Sequence, residues 1–278
     1  NEKQHRVILQ SIAHRAMLER DLLPDFSAEA LAELDELQIS IGSNNIPHES
    51  QLDIRDMRDH LWASIDNNDS RDLDQLTVAE AMPGGKVKVM VAIADVDALV
   101  KEGSAIGEHA RHNTTSVYTA ARIFPMLPEI LSTDLTSLNP DEERLAVVVE
   151  MEINADGSLM SSAVYRARVR NQAKLAYNSI AAWLDGNGPI PDAVASIPGL
   201  DENLHIQDKA AQSMKGLRHV HGALSLETIE AKPVFDHDQI RSLEIEEKNC
   251  AKEIIENFMI AANGVTARYL SASGFPSI

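Results

Sequence analysis

Residues 64–76 read Ser64-Ile65-Asp66-Asn67-Asn68-Asp69-Ser70-Arg71-Asp72-Leu73-Asp74-Gln75-Leu76. Four carboxylates, Asp66, Asp69, Asp72 and Asp74, stand among amides and hydroxyls directly ahead of a strand-like run, Thr77 to Met82. Like charges packed this closely oppose a compact loop unless a cation offsets them. Carboxylate oxygens suit hard ions such as Mg²⁺ and Mn²⁺. A calcium loop of the EF-hand kind fails on two positions. Numbered from Asp66, the sixth residue is Arg71 where glycine is needed, and the twelfth is Thr77 where glutamate is needed. Two readings stay open on these residues alone. One is a solvated acidic turn. The other is a hydrolytic centre, where one or two metal ions bridge a phosphate, hold a water in line and neutralise the leaving oxygen.

Outward from this loop the pattern is that of an antiparallel sheet. Thr77 to Met82 and Lys86 to Asp95 are strand-like and are joined by Pro83-Gly84-Gly85, a hairpin signal. Leu145 to Ile153 and Ser158 to Val169 repeat the design around Asn154-Ala155-Asp156-Gly157. Strand alternation puts Val164, Arg166, Arg168 and Arg170 on one face and Ala163, Tyr165, Ala167 and Val169 on the other. Between the hairpins, residues 104–144 read as helix and irregular loop, since Pro125 and Pro128 interrupt any long element. The C-terminal third is helical. From Glu247 to Leu270, the residues Ala251, Ile254, Ile255, Phe258, Met259 and Ala262 form one apolar stripe, with Lys252, Glu256 and Asn263 off it.

Toward the N-terminus, Ile8, Ile12, Ala16, Leu22 and Leu23 predict a helix over 5–23 that Pro24 ends. Ser27 suits an N-cap, with Phe26 and Leu31 placed as a hydrophobic staple. A second helix carries Leu31, Leu34 and Leu37, and Ile39 to Ser50 reads as a linker. The expected fold class is α+β: a mostly antiparallel sheet flanked by helices, preceded by a small helical extension. The expected division is 1–48 for the extension and 49–278 for the main domain.

Composition bounds the function. A hydrophobic fraction of 44% can build a substantial core. The longest apolar run, Val89 to Ala94, is too short to span a bilayer. The lone Cys250 excludes an intramolecular disulfide framework and a multi-cysteine zinc site, which fits a reducing cytoplasm. No signal segment opens the chain, and a start on Asn1 leads us to expect a piece of a longer protein. The net charge of −18 argues against nucleic acid on average. Yet residues 109–128 and 157–184 contain no Asp or Glu. The first carries His109, Arg111, His112 and Arg122, and the second Arg166, Arg168, Arg170 and Lys174. Such stretches suit a local anion site or an ordinary surface face.

The spacing of Asp66, Asp72 and Asp74 resembles the aspartate motif of the ribonuclease II (RNB) family of 3′→5′ exoribonucleases. Further motifs follow in order. Val91-Ala92-Ile93-Ala94-Asp95 is similar to the strand after that motif. Ser116-Val117-Tyr118, Phe124-Pro125-Met126-Leu127-Pro128-Glu129, Leu131-Ser132, Ser137-Leu138-Asn139-Pro140 and Arg144-Leu145 are similar to the next signatures. His221-Gly222-Ala223-Leu224 and Ile255-Glu256-Asn257-Phe258-Met259-Ile260-Ala261-Ala262-Asn263 extend the likeness, which runs from about residue 53 to 278.

The resemblance implies a magnesium-dependent enzyme, with Mn²⁺ as the second candidate ion, that releases 5′-nucleoside monophosphates from single-stranded RNA 3′ ends. By position, Asp66, Asp72 and Asp74 would bind or orient the metal, Asp74 being the aspartate on which catalysis depends most, with Asp69 an extra acid on the same loop. Tyr118 would stack on the RNA 3′ end. Glu256 would lie near the terminal nucleotide, where a 2′-OH contact tells RNA from DNA. Arg122, Arg168 and Arg170 are candidate phosphate contacts. No membrane role is implied and no protein partner is deducible.

The chain departs from the family pattern at several places. Gln75 stands where the motif has a second aspartate, and Leu226 where many relatives carry an aromatic. No pair of cold-shock-like domains fits before residue 53, as in divergent bacterial branches. The catalytic domain is expected to be incomplete at Ile278. Two rivals follow: a catalytically weak relative that binds RNA, and a non-enzymatic metal-holding regulatory protein. His109 and His112 read as two surface histidines rather than a metal pair. His219 and His221 carry no more weight, Trp62 reads as core, and Cys250 shows no activating partner.

Overall fold

The computed structural model describes residues 2–42, 53–224, 231–236, 239–245 and 248–276. They fall into two compact units. One gathers Asn1–Ser50, Val96–Ser132 and Glu227–Glu247, and the other gathers Gln51–Asp95, Thr133–Leu226 and Lys248–Ile278.

The second unit is built on a seven-stranded sheet. Its strands are β1 (Ile54–Asp56), β2 (Ala63–Asp66), β3 (Gln75–Ala81), β4 (Val87–Ala94), β7 (Glu143–Ile153), β8 (Leu159–Arg170) and β9 (Ala173–Ala176), in the order β1-β8-β7-β4-β3-β2-β9. The two expected hairpins are present. Gly84 and Gly85 turn the first with φ of 78° and 75°, and Met82 N–H donates to the Lys86 carbonyl at 2.9 Å. Gly157 turns the second with φ of 88°. A side chain there would collide with the Ser213 carbonyl of α6 (Leu200–Val220), so the turn is tight on both counts.

The sheet is mixed. β1 pairs with β8 in parallel, and β2 pairs with β9 in parallel. The sequence pattern pointed to the antiparallel neighbours because a hairpin carries its turn residues with it. A parallel pair joins distant segments and leaves no local mark.

Val89 to Ala94 is apolar throughout because β4 is covered on both faces. Val89 and Val91 pack with Val149, Met151 and Ile153 against Ala210, Ala211 and Met214 of α6 and Ile254, Phe258 and Ala262 of α7 (Cys250–Ala272). Met90 and Ala92 face Trp62, Leu73, Leu138, Val148, Ala167 and Val169. Trp62 is fully buried, and its ring N–H donates to the Met57 carbonyl at 2.8 Å. The helices α4 (Tyr177–Leu184) and α5 (Asp192–Ala195) close a third cluster around Ala63, Ile65 and Leu175. Helix α7 buries the expected stripe, with Met259 partly covered, and the Asn249 side chain caps it by accepting from Lys252 N–H at 2.9 Å. Buried amides fasten α6 to β3. Thr77 Oγ1 donates to Gln207 Oε1 at 2.7 Å, Gln207 donates to Asn203 at 2.9 Å, and Asn203 donates to the Ala79 carbonyl at 2.7 Å.

The first unit holds α1 (Glu2–Glu19), α2 (Ala28–Gly42), α3 (Ala105–Asn113), the hairpin β5 (Val117–Tyr118) with β6 (Ile123–Phe124), and the hairpin β10 (Ala231–Asp236) with β11 (Gln239–Ile245). Ser27 caps α2, its hydroxyl accepting from Ala30 N–H at 3.2 Å. The expected staple is replaced by a ring stack. Phe26 lies 4.1 Å from His109, and Leu31 stays half-exposed. Helix α1 buries Met17 and leaves Ile8 and Ile12 exposed, so the face that packs is not the one the Ile8–Ile12 spacing suggested. Ile39 to Gly42, expected in the linker, form the last turn of α2, and the linker from residue 43 on lies outside the described residues. Leu226 lies outside them too. Among the described residues, no helix is long and apolar enough to cross a membrane.

Candidate active site

Strand β2 turns Ala63 and Ile65 into the core and ends at Asp66, whose Oδ1 accepts from Asn67 N–H at 2.7 Å. The chain then turns, with Ser70 N–H donating to the Asn67 carbonyl at 3.1 Å. Lys174 of β9 reaches across and donates to the Ser70 carbonyl at 2.6 Å. Leu73 drops into the core between half-buried Asp72 and exposed Asp74. The Asp74 carbonyl accepts from Ala94 N–H at 3.0 Å, which hands the chain to β3. Gln75 opens β3, opposite Ile93.

The segment after the loop's far neighbour locks it. Leu73 N–H donates to Ser137 Oγ at 3.0 Å, and Leu138 N–H donates to the Leu73 carbonyl at 2.8 Å. Asn171 donates to the Leu138 carbonyl at 2.8 Å and to Ser64 Oγ at 3.1 Å. The Ser137-Leu138-Asn139 motif therefore has a local purpose as the floor under the aspartate loop. No local pattern marks these contacts: Ser137 lies 64 residues from Leu73, and Lys174, within an acid-free stretch, lies 104 from Ser70.

The loop brings Asp66, Asp72 and Asp74 within electrostatic reach. The Asp74 carboxyl is raised to about 6, first by desolvation and then by the Asp72 and Asp66 charges. Asp74 also keeps much of its own surface open to solvent. Among the described residues, no three acidic, histidine or cysteine side chains stand close enough to share one ion as they are placed. The donor chemistry still fits Mg²⁺ or Mn²⁺: the loop's side-chain donors are hard oxygens, mainly carboxylates, and a cation would relieve the mutual repulsion that lifts Asp74. Asp69 is exposed on the same loop.

The guanidinium face of β8 is more committed than alternation suggests. Arg166 bonds the buried Asp95 carboxylate at 2.9 Å. Arg170 bonds Glu143 at 2.9 Å, and Arg58 bonds the same oxygen at 2.9 Å. Arg58 also pairs with Asp56, which holds that carboxyl down to about 2. Arg168 lies opposite Leu145, and its carbonyl accepts from Met57 N–H at 2.9 Å. Glu256 is exposed on α7 beside the buried Asn257, which accepts from Arg218 at 2.5 Å.

Tyr118 and Arg122 belong to the helical unit. Tyr118 is 68% exposed on β5. Arg122 bonds Asp25 at 2.7 Å and the Pro24 carbonyl at 3.2 Å, and lies over the Phe124 ring. Its charge is thus partly spent on the connection between α1 and α2. Of the two histidines read as surface groups, His112 is exposed, but His109 is buried and bonded to Asn113 at 3.3 Å. The Phe26 ring covers it, and burial pushes its pKa down. The Cys250 thiol is pushed up to about 11, first by burial and then by Asp185 and Asp208, so it is not an activated nucleophile.

Residues 54–278 match the family model described as the RNB domain. Ribonuclease R of Escherichia coli (strain K12) is 34% identical over 248 residues, which cover 87% of this chain and 30% of that protein. Ribonuclease R of Aquifex aeolicus (strain VF5) is 32% identical over 234 residues, 84% of this chain and 33% of that protein. The chain thus spans about a third or less of the length of these curated relatives. Among solved structures, Mycoplasma genitalium RNase R in complex with ribose methylated single-stranded RNA superposes with a TM-score of 0.79 at 25% identity, over 93% of this chain and 39% of that one. Yeast Ssd1, a pseudonuclease, superposes with a TM-score of 0.62 at 16% identity over 82% of this chain and 27% of that one, a likeness of fold alone.

Proposed function

The chain belongs to the RNB domain family, and from that premise we propose that it carries the hydrolytic centre of a 3′→5′ exoribonuclease acting on single-stranded RNA. The observation that carries this reading is the loop from Asp66 to Asp74. It is tied to Ser137 on one side and to Lys174 of β9 on the other, and holds a carboxyl raised to about 6 beside two other carboxylates. Asp66, Asp72 and Asp74 would hold Mg²⁺, or Mn²⁺ in its place, with Asp69 as a fourth oxygen donor. When bound, the ion supplies polarisation of the scissile phosphate and a more acidic attacking water.

The chain's own groups do the rest. Asp74, whose carboxyl is raised to about 6, accepts the hydrogen bond that orients the water toward phosphorus. Tyr118 offers an exposed ring on which the terminal base stacks without regard to sequence. Glu256 accepts from a ribose 2′-OH, which selects RNA over DNA. Arg168, Arg170 and Arg122 contact backbone phosphates, and the last two exchange part of an internal carboxylate pairing for them. The products are 5′-nucleoside monophosphates.

A second reading rests on Gln75. Its neutral amide is a weaker ligand for a hard ion than a carboxylate, and it stands where the family motif has a second aspartate. On that reading the chain binds RNA and cleaves it poorly. The same fold is present in yeast Ssd1, a pseudonuclease. Full-length protein on 3′-tailed, 5′-labelled RNA separates the two. Stepwise shortening with Mg²⁺ that EDTA stops and that Asp74→Asn abolishes supports the enzyme. Retention of the RNA with no shortening at any Mg²⁺ concentration supports the binder.

A further inference from the structure

We propose that Ser137 is a positioning residue for the metal site: its hydroxyl fixes the peptide that separates Asp72 from Asp74, and so sets the distance at which those two carboxylates meet a cation. The inference rests on the hydrolytic reading of the aspartate loop and deepens it.

The argument is one of hydrogen-bond accounting. Ser137 is 1% exposed, and 64 residues separate it from the loop residue it holds. Its Oγ accepts from Leu73 N–H at 3.0 Å, and its single proton is offered to the Arg71 carbonyl at 3.2 Å and to Asn139 Oδ1 at 2.9 Å. One hydroxyl therefore touches the backbone on both sides of Asp72. The next residue completes the lock, because Leu138 N–H donates to the Leu73 carbonyl at 2.8 Å. Both backbone groups of Leu73 are thus bonded, and the Leu73 and Leu138 side chains are buried in one cluster. Leu73 is a fixed pin, and the carboxylates at positions 72 and 74 are carried on either side of it. Asp66, Asp72 and Asp74 stand within nine residues of one loop, and like charges so close repel one another. A loop so charged spreads unless its backbone is tied. The tie stands between the two carboxylates, and it is polar, so its loss leaves the Leu73 N–H buried without an acceptor.

A side chain that only filled space would behave differently. Removing the hydroxyl would then lower stability and leave cation affinity unchanged. As a positioning residue, Ser137 sets cation affinity in particular. Lost outer support of ligands costs about tenfold or more in metal affinity.

The test uses the whole chain in three forms: wild type, Ser137→Ala and Ser137→Cys. Mg²⁺ is titrated into each while the melting temperature is followed, so the metal is read without any turnover. The half-saturating Mg²⁺ concentration is expected to rise about tenfold in Ser137→Ala and less in Ser137→Cys, whose thiol keeps a weak acceptor. On 3′-tailed RNA, high Mg²⁺ restores most of the rate of Ser137→Ala. It does not restore Asp74→Asn. Equal Mg²⁺ midpoints in wild type and Ser137→Ala would overturn the proposal, even if the variant melts earlier. Because a variant can fail to fold, amide exchange of the metal-free wild type is measured as well. The Leu73 amide is expected to be protected at the level of the neighbouring sheet, and exchange as fast as an open loop would overturn the proposal outright. If the wild type binds Mg²⁺ with the expected protection but does not shorten RNA, the hydrolytic reading fails while the Ser137 assignment stands.

Discussion

Arg166 of β8 donates to the Asp95 carboxylate at 2.9 Å, and the pair spans β7, since Asp95 directly follows β4. Asp95 is nearly inaccessible while Arg166 keeps about a third of its surface, at 2% and 32% exposure. Asp95 N–H also donates to the Leu145 carbonyl at 3.1 Å, so the carboxylate is held by both backbone and side chain. Removing one partner of a fully buried pair costs about 3–5 kcal/mol, and partial exposure of Arg166 reduces that to about 2. Asp95→Asn is therefore expected to lower unfolding free energy by about 2 kcal/mol in urea melts. A loss within error of zero would show that water already replaces the contact.

Asp74 makes stability depend on pH in the metal-free protein. Its folded pKa is raised to about 6 from 3.8, by desolvation first and then by Asp72 and Asp66. The folded chain therefore holds a proton that the unfolded chain releases, and stability from this group falls as pH rises from about 4 through about 6. Asp74→Asn removes the effect. In EDTA the variant should match wild type near pH 4 and be the more stable of the two above about pH 6, with the difference growing between those values. Added Mg²⁺ should narrow the gap by stabilising wild type more. A difference that is flat with pH would mean that Asp74 titrates as an ordinary surface carboxyl.

Gln75 opens β3 opposite Ile93 and is half-buried. If its amide leaves one metal position poorly held, Gln75→Asp should reduce the Mg²⁺ needed for half-maximal RNA shortening, by roughly tenfold for a carboxylate gained in the ligand shell. An unchanged or higher requirement would indicate that Asp69 already fills the position.

Tyr118 presents an exposed ring at the hairpin of β5 and β6. Stacking of a base on such a ring contributes about 1–3 kcal/mol. That contribution matters most once the remaining RNA is short and few other contacts hold it. Tyr118→Ala should release longer end products, with little change in rate on long RNA at saturating concentration. A denaturing gel of end-labelled RNA reads this directly, and identical ladders from variant and wild type would remove Tyr118 from the site.

Much of the framework was legible residue by residue. The Gly84-Gly85 and Asn154–Gly157 turns, the alternation in β8, the Ser27 cap and the α7 stripe are set by backbone geometry over a few neighbours, and each is present. The aspartate spacing pointed to the loop, and the electrostatic coupling of Asp74 with Asp72 and Asp66 gives that loop a physical character. What escaped was the direction in which α1 packs and the burial of His109. Both depend on which surface happens to cover a helix rather than on the helix itself.

By its own pattern the sequence determined which segments are strands and helices, where the chain turns, and that four carboxylates share one loop, because each of these follows from short-range steric and charge relations. Tertiary structure alone decided how that loop is held. Ser137 and Leu73 are 64 residues apart, Arg166 and Asp95 71, Lys174 and Ser70 104, and Asn171 and Ser64 107. No periodicity links such positions. They meet only because β2 pairs in parallel with β9 while β7 pairs antiparallel with both β4 and β8, and these pairings bury both faces of the sheet.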